Sequence, residues 1–179
     1  MKALRSVPLL TLLALTSCGI PATGVVEAGG PASGTLPMTP VYFVENGALV
    51  AMPRTTEQPG DPEAALRLLM VGPLSGERRS GKVSTEIPGT PTAMAVPPAT
   101  DEPGDPPSPD TPKVTVKGDA MTIRLPAGMA RLSGTGVRQV VCTAAAAYRL
   151  TRPSDATVTA EVSGGGWQVR VSDEGCPDR

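Results

Sequence analysis

Alternating apolar and polar residues predict three β-hairpins along the chain. The predicted arms are 41–45 and 48–52 across Asn46-Gly47, the two halves of 113–125 across Gly118-Asp119, and 156–162 with 167–172 across residues 163–166. Asparagine and glycine suit two-residue turns, because both turn positions require positive φ. In the second and third hairpins the apolar residues of each arm fall on one face, which predicts a sheet with one buried face. A further short strand is expected at 83–88.

Helical spacing predicts a first helix that begins at Asp61 and ends at Gly72. Asp61 can cap the N-terminus, and Pro62 suits the first helical position. The apolar residues that recur at helical spacing are Ala65, Leu66, Leu69 and Met70. Gly72 is expected to take the left-handed stop, and Pro73 prevents continuation of the helix.

A second helix is predicted over residues 134–150. Its apolar stripe consists of Val137, Val140, Val141, Ala144 and Tyr148. Since each residue turns the helix by about 100°, Cys142 falls off this stripe, near Arg138 and Arg149. We therefore expect Cys142 on an exposed flank, from which it can reach another segment.

These elements predict an α+β fold, with a largely antiparallel or mixed sheet and two helices packed on one face. The length of 179 residues fits one folded domain with tails. We expect this domain at residues 41–172, followed by a C-terminal tail at 173–179. Residues 97–112 are dense in proline and acidic residues, and are expected to form a solvated loop within the domain.

The N-terminus has the pattern of an export signal. Lys2 and Arg5 precede an apolar stretch at residues 7–15, which is too short to cross a bilayer but suits a secretory signal. Residues 15–18 are an aliphatic residue, two small residues and Cys18, and they resemble a bacterial lipobox. The resemblance implies that residues 1–17 are removed as a signal peptide. It also implies that the Cys18 thiol carries a diacylglycerol group with acyl chains such as palmitate. The alternative is a plain secreted protein in which Cys18 is incidental.

Residues 18–40 are expected to be the lipidated cysteine and a flexible tether. The stretch 19–40 is rich in Gly, Pro, Ser and Thr and offers no core to bury. As a loose coil it would span about 25 Å. This predicts a folded domain held near the outer face of the cytoplasmic membrane.

The charge of the chain argues against nucleic-acid binding. The sequence has 16 Lys and Arg against 17 Asp and Glu, and no basic run that could neutralise phosphates. Its aromatic residues are one Trp, two Tyr and one Phe. The core is therefore expected to consist of Val, Leu, Ile, Met and Ala, and an aromatic-lined ligand pocket is disfavoured.

Cys142 and Cys176 form an even pair once Cys18 is acylated. In an oxidising compartment a disulfide between them is the expected state. It would close a loop of about 35 residues and stabilise the fold by roughly 3–4 kcal/mol. Two free thiols are the alternative. Asp173 and Glu174, in the tail that carries Cys176, are expected to be solvated.

The residue types needed for catalysis are largely missing. The sequence contains no histidine, so it offers no His base for a nucleophile and no His ligand for a metal. Asp61 and Glu63 are explained by the start of a helix. The other carboxylate candidates lie in the expected loop: Asp101, Glu102, Asp105 and Asp110. Loose calcium binding there is the alternative to plain solvation. We expect no enzymatic activity, no cofactor and no metal.

Residues 66–90 contain a helix that ends in Gly-Pro, followed by an acidic residue, a glycine and an Ile-Pro pair. The residues of this pattern are Leu68, Leu69, Gly72, Pro73, Glu77, Gly81, Ile87 and Pro88. In this order the segment resembles the GerMN domain, which also occurs in actinobacterial lipoproteins of the LpqB type. With the hairpins and the second helix, the resemblance covers residues 41–172.

The resemblance implies a compact α+β module on the outer face of a membrane, used for protein contacts or assembly. It brings no catalytic residues. One copy of the domain predicts a single-domain member rather than a multi-domain protein of the LpqB type, with residues 97–112 as an insertion. Glu77, Arg78 and Arg79 are expected in a solvated loop after the first helix.

The sequence thus predicts a lipid-anchored, extracytoplasmic and non-catalytic module of an actinobacterial cell envelope. It would attach to the membrane through Cys18. It would bind another envelope protein, or a second copy of itself, through a sheet edge or an exposed helix flank. The alternative is a ligand-binding lipoprotein that captures a cell-wall fragment or a small solute. A hydrolase acting on the cell wall is disfavoured by the missing histidine.

Overall fold

The computed structural model describes residues 37–88 and 110–177. Its elements are β1 Thr39–Glu45, β2 Ala48–Arg54, α1 Pro62–Val71, α2 Ser75–Arg79, β3 Val83–Ser84, β4 Lys113–Lys117, β5 Ala120–Arg124, α3 Gly134–Thr151, β6 Thr159–Gly164, β7 Trp167–Ser172 and a final 3₁₀ turn Asp173–Gly175. Residues 1–36, 89–109 and 178–179 lie outside the described ranges, and they include the predicted signal 1–17, Cys18, the tether up to residue 36 and residues 97–109 of the predicted insertion.

The strands form two sheets. The first has the strand order β2-β1-β3, and the second has the order β4-β5-β6-β7. All pairings are antiparallel except that of β5 with β6, which is parallel. The chain between β5 and β6 contains α3, and such a crossover is what a parallel pair requires. The predicted α+β class is confirmed, with the strands divided between two sheets rather than joined in one.

The turn signals in the sequence predict the hairpins correctly. Asn46 and Gly47 join β1 to β2 with positive φ angles of 51° and 80°. Gly118, with φ at 60°, lies in the turn between β4 and β5. The turn between β6 and β7 contains Gly165 and Gly166, which also have positive φ.

The start and the end of α1 are set by the residues that the sequence singles out. The Asp61 carboxylate accepts hydrogen bonds from the backbone N–H groups of Glu63 at 3.0 Å and Ala64 at 3.1 Å. Gly72 ends the helix with φ at 86° and ψ at −172°. Its φ is positive as predicted, but its ψ is extended rather than left-handed helical. This region of φ and ψ is open essentially to glycine alone.

α3 is buried on more of its circumference than the sequence predicts. Cys142 is 1% exposed, so the expectation that it lies on an exposed flank is wrong. The reason is that α3 contacts both sheets, with β1 on one sheet and β6 and β7 on the other. The small side chains of Ala144, Ala145 and Ala147 are buried as well, and allow these neighbours to approach closely.

A single hydrophobic core joins the two sheets and the two long helices. Its fully buried members include Phe43 of β1, Leu66 of α1, Ile123 of β5, Val140 of α3 and Val162 of β6. Each belongs to a different element, so the core holds all five elements in one folded unit. The opposite face of the four-stranded sheet is left to solvent.

The C-terminal segment is more ordered than the expected tail. Asp173 is fully buried, so the prediction that it is solvated is wrong. Its carboxylate accepts a hydrogen bond from the Val158 N–H at 2.9 Å and forms an ion pair with Arg149. Glu174, by contrast, is exposed as predicted. The 3₁₀ turn at Asp173–Gly175 buries the first carboxylate and leaves the second in solvent.

Candidate interaction surfaces

The segment with the GerMN-like residues is less solvated than the sequence predicts. Glu77 lies in α2, and its carboxylate accepts hydrogen bonds from the Leu74 N–H at 2.8 Å and from Arg54 Nη2 at 2.6 Å. Arg54, at the end of β2, is only 9% exposed. A buried guanidinium requires a counter-charge. The expectation of a solvated loop is therefore wrong at Glu77, while Arg78 and Arg79 of the same helix are exposed.

The pair of Arg54 and Glu77 holds the carboxylate in its ionised form. Burial acts to raise the pKa of Glu77, but the hydrogen bonds from Arg54 and the Leu74 N–H, together with the charge of Arg54, hold this pKa below its usual value. Arg54 also lies over the ring of Phe43, 5.1 Å from its centroid. This ion pair therefore connects α2 to β2. Because the pKa of Glu77 is lowered, its carboxylate is also poorly suited to proton transfer near neutral pH.

The remaining GerMN-like residues shape the backbone around α2. Leu69, Gly72, Pro73 and Ile87 are buried, Leu68 is partly buried, and Gly81 and Pro88 are exposed. Gly81 has φ at 68°, in the region that favours glycine. The carbonyl of Pro73 accepts a hydrogen bond from Arg78 Nη1 at 2.9 Å. Among the eight matching residues only Glu77 is ionisable, so the pattern describes a fold element rather than a chemical site.

Two large apolar side chains are exposed where α1 meets α2. Val71 is 46% exposed and Leu74 is 56% exposed, on either side of the Gly72-Pro73 pair. Single exposed apolar residues are common on protein surfaces, but adjacent ones can serve as an anchor for a partner. Val71 is the last residue of α1 and Leu74 precedes α2, so the two side chains are exposed at the junction of the helices rather than along a helix face.

The outer edge of β2 presents backbone groups away from β1. The closing pair of this two-residue hairpin is Glu45 with Ala48, and its members bond to each other. Because bonded and non-bonded pairs alternate in an antiparallel ladder, the N–H and C=O groups of Leu49 and Ala51 point outward. No other group among the described residues bonds them. Pro53, the next outward position, has no N–H, which is typical of an edge strand.

The β4 edge of the second sheet is covered by a side chain of α1. Glu63 Oε1 accepts a hydrogen bond from the Val114 N–H at 2.9 Å, and Oε2 lies 3.4 Å from Lys113 Nζ. The carboxylate thereby occupies an outward donor that another strand would need. The two hairpin edges thus differ: β4 is capped in part by a side chain, and β2 is not.

Two polar side chains of α3 continue the hydrogen bonding of β1 beyond the end of β3. The Tyr42 N–H donates to Thr143 Oγ1 at 3.0 Å, and Gln139 Nε2 donates to the Tyr42 carbonyl at 2.9 Å. Gln139 Oε1 in turn accepts from the Glu86 N–H at 2.8 Å. β3 is shorter than the predicted strand at 83–88 because the chain bonds to this glutamine after Ser84. The side chains of Gln139 and Thr143 therefore make the hydrogen bonds to Tyr42 that a longer β3 would otherwise make.

A disulfide joins Cys142 to Cys176, the pair that the sequence predicts, with their Cα atoms 5.5 Å apart. The segment around Cys176 is held by further contacts. Arg138 donates to the Gly175 carbonyl, and the Tyr42 hydroxyl donates to the Pro177 carbonyl at 2.9 Å. The end of the described chain is therefore fastened to α3 and β1.

A shallow groove of about 290 Å³ runs beside the disulfide. Its lining residues are Pro40, Tyr42, Ala51, Cys142, Ala145, Ala146, Arg149, Leu150 and Cys176. The lining is mostly apolar, and Tyr42 is its one aromatic side chain. A second hollow, of about 210 Å³, is lined in part by Trp167 and Leu132. Both are small for a pocket that encloses a drug-sized ligand.

The solvent side of the four-stranded sheet carries a cluster of cations, which we call the basic face. Its residues are Lys113, Thr115, Lys117, Ala120, Thr122, Arg124, Thr159, Glu161, Ser163, Gln168, Arg170 and Ser172. Glu161 is the one carboxylate of this face, and it pairs with Arg170 at 3.1 Å. The alternation along residues 113–125 already predicts Lys113, Lys117 and Arg124 on one face of the second hairpin. The sequence does not predict Arg170 beside them, because it reaches this face only through the pairings of β6 with β5 and β7.

No group of three or more His, Cys, Asp or Glu side chains in residues 37–88 and 110–177 is placed to hold a metal ion. Asp61 caps α1, Asp110 is an exposed turn residue, and Asp101, Glu102 and Asp105 lie outside the described ranges. None of the helices described is both long and apolar enough for a membrane span.

No protein-family model, curated protein or solved structure matches the chain significantly. These comparisons assign neither a family nor an activity. The resemblance to the GerMN domain therefore rests on the sequence pattern at residues 66–90 and on the hairpins around it. A functional proposal has to rest on the sequence and on the surfaces of the fold.

Proposed function

We propose that the chain is a membrane-anchored extracytoplasmic lipoprotein whose GerMN-like domain is a non-catalytic module for protein interaction or assembly in the cell envelope. The observation that carries the interaction is the uncovered outer edge of β2. An extended segment of a partner can add to such an edge, since the outward groups of Leu49 and Ala51 would bond its backbone. The partner is another envelope protein or a second copy of this chain.

The anchor is proposed from the lipobox-like residues 15–18, which precede a stretch rich in Gly and Pro. Two acyl chains on Cys18 hold a protein at a bilayer where a single chain is marginal. The module would then work at the outer face of the cytoplasmic membrane. Its tether would let the β2 edge search the space near the lipid surface for a membrane or envelope partner.

The anchor is tested by Cys18→Ser in cells. The variant should lose its acyl chains and appear in the soluble fraction, while the unmodified protein sediments with membranes. A membrane-bound Cys18→Ser protein would contradict lipidation at this residue.

The interaction is tested by photocrosslinking in intact cells, with a crosslinking amino acid in place of Leu49. The same group in place of Arg131, an exposed residue before α3, is the control. We expect one dominant crosslinked protein from position 49 and none from position 131. Self-crosslinks alone would identify the partner as a second copy.

A matched pair of variants asks whether the β2 backbone makes the contact. Ala51→Pro removes the outward N–H and leaves the ladder to β1 intact, as Pro53 already does two residues later. Ala51→Ser keeps that donor. Loss of the crosslink in Ala51→Pro but not in Ala51→Ser is expected. Equal crosslinking in both variants would exclude strand addition at β2.

The second candidate function is a ligand-binding lipoprotein that captures a cell-wall fragment or a small solute. The groove beside the disulfide favours it, because Tyr42 and Leu150 form an apolar lining next to the charged Arg149. A thermal-shift screen with wall fragments tests this function. A saturable rise in melting temperature that Tyr42→Leu abolishes would support it.

A further inference from the structure

We propose that the basic face docks on an anionic phospholipid surface and so orients the domain relative to the membrane. The inference deepens the proposed function, since it rests on a domain that is tethered near a bilayer. It concerns a different surface from the β2 edge. Docking through one face of the sheet would leave the β2 edge available to a partner.

The charge of this face is retained at a cost to the fold. Lys113 lies directly opposite Arg124 in the register of β4 and β5, and like charges at such positions are destabilising. Glu63 relieves Lys113 in part, at 3.4 Å. Lys117 and Arg124 have no ion pair among the described residues. The whole chain has a net charge of −1, so positive charge is concentrated here against the average.

The shape of the face favours an extended anionic surface over a single anion. Lys113 and Lys117 are separated by about 13 Å along β4, since a strand rises about 3.3 Å per residue. Between the cations lie short, exposed side chains such as Thr115 and Thr122. The donors are spread along two strands and line an open hollow of about 270 Å³, whereas a small anion is held by donors that converge on one point.

The chemistry of the face argues against a nucleic acid. No aromatic side chain lies among its residues, because Trp167 belongs to the opposite side of β7. Bases of single strands stack on aromatic side chains, and that part of their affinity would be missing. Phospholipid head groups need only the charge and the hydroxyl and amide donors that this face provides.

Because of the proposed tether, a weak attraction between the basic face and the lipid surface is sufficient for docking. The predicted coil at residues 19–40 would hold the domain at an average distance of about 25 Å from the lipid, so docking would be an intramolecular event at high effective concentration. Each Lys or Arg near an anionic bilayer strengthens binding by about five-fold. Three such residues together account for a factor on the order of 100.

The test is flotation of the purified full chain, carrying Cys18→Ser, with vesicles of phosphatidylglycerol and phosphatidylcholine or of phosphatidylcholine alone. The ratio of the two binding constants isolates the electrostatic part, because the apolar stretch at residues 7–15 contributes to both. The variant K113Q/K117Q/R124Q removes three cations from the basic face. The control R79Q/K82Q/R131Q removes three exposed cations from elsewhere.

We expect the ratio to fall on the order of 100-fold in K113Q/K117Q/R124Q and by less than about two-fold in the control. Raised salt should weaken binding of the parent chain. Equal effects of the two variants, or no preference for phosphatidylglycerol, would overturn the proposal. So would binding of soluble polyphosphate through the same three cations without binding to the vesicles, which would assign the face to an anionic polymer.

A second measurement needs no variant of the face. On vesicles with phosphatidylglycerol, an amine-reactive reagent should label Lys117 more slowly than in solution, while labelling of Lys82 stays unchanged. Equal labelling of Lys117 in both conditions would contradict docking. Failure of lipidation would appear instead in the Cys18→Ser fractionation, so failure of the inference and failure of the proposed function are separable.

Discussion

Two carboxylates, Asp173 and Glu77, each pair with an arginine where the sequence predicts solvent, but they differ in burial. The Asp173 side chain has no exposed surface and its partner Arg149 is 17% exposed, whereas Glu77 is 22% exposed and Arg54 is 10% exposed. Asp173 lies three residues before a disulfide cysteine, and Glu77 lies in a five-residue helix. The ion pair of Asp173 with Arg149 is thus a buried support for the C-terminal segment. The ion pair of Glu77 with Arg54 is a surface clasp, by which we mean a partly exposed contact between α2 and β2.

This difference predicts how much each contact contributes to stability. Removing one partner of a buried pair leaves an unpaired charge without water, and costs several kcal/mol. Removing one partner of a pair that water reaches costs about 1 kcal/mol or less. Asp173 belongs to the first class, whereas Glu77 lies between the two, because water reaches its carboxylate but hardly reaches Arg54.

Removal of the disulfide should have the largest effect, because it frees the segment that carries Asp173. Cys142→Ala with Cys176→Ala is expected to lower the free energy of unfolding by about 3–4 kcal/mol. Urea unfolding of the variant and of the reduced parent chain should give similar midpoints, both below that of the oxidised parent. An unchanged midpoint in the variant would show that the bond does not constrain the chain.

Asp173→Asn should cost about 3 kcal/mol, since Arg149 is left without its buried counter-charge. The measurement is urea unfolding, with Asp155→Asn as the control, because Asp155 is exposed. If both substitutions cost less than about 0.5 kcal/mol, the buried support at Asp173 is refuted.

Glu77→Gln should cost about 1–2 kcal/mol, less than Asp173→Asn, because the amide oxygen can still accept from the Leu74 N–H and Arg54 keeps its contacts with the Pro53 carbonyl and the Phe43 ring. Glu57→Gln, at an exposed loop position, is the control. A cost as large as that of Asp173→Asn would remove the distinction between support and clasp.

The smallest expected effect is on the pH dependence of stability. The pKa of Glu77 is lower in the folded chain than in the unfolded chain. Its contribution is therefore present above the unfolded pKa and lost as pH falls through the folded pKa. The difference in unfolding free energy between the parent chain and Glu77→Gln should be full at about pH 7 and should be smaller at about pH 3. A difference that stays constant between these values would contradict the lowered pKa.

Local signals in the sequence predict the hairpins and the helices, since Asn46-Gly47, Asp61-Pro62 and Gly72 act through their own backbone. The disulfide partners also follow from counting cysteines. The α+β class follows from the order of these elements. These features need no knowledge of which residues meet across the fold.

What the sequence does not predict depends on long-range partners. Glu77 meets Arg54 from 23 positions away, and Tyr42 meets Thr143 from 101 positions away. The parallel pairing of β5 with β6, which joins the second and third hairpins into one sheet, is another long-range contact that no local signal predicts. The basic face is predicted in part: alternation within one hairpin places Lys113, Lys117 and Arg124 together, whereas Arg170 joins them only through the strand pairings of β6. Cys18 lies outside the described residues and stays a prediction.

The bond between the Tyr42 amide and the Thr143 hydroxyl has a kinetic consequence. Most amide protons of β1 are released when its ladder with β2 opens, but this one is released only when α3 separates from β1. Its rate of exchange with deuterium should therefore follow the helix rather than the hairpin. Within this one strand, the exchange rate of the Tyr42 amide proton would report the separation of α3 from β1. The exchange rates of the neighbouring amide protons would report the opening of the sheet.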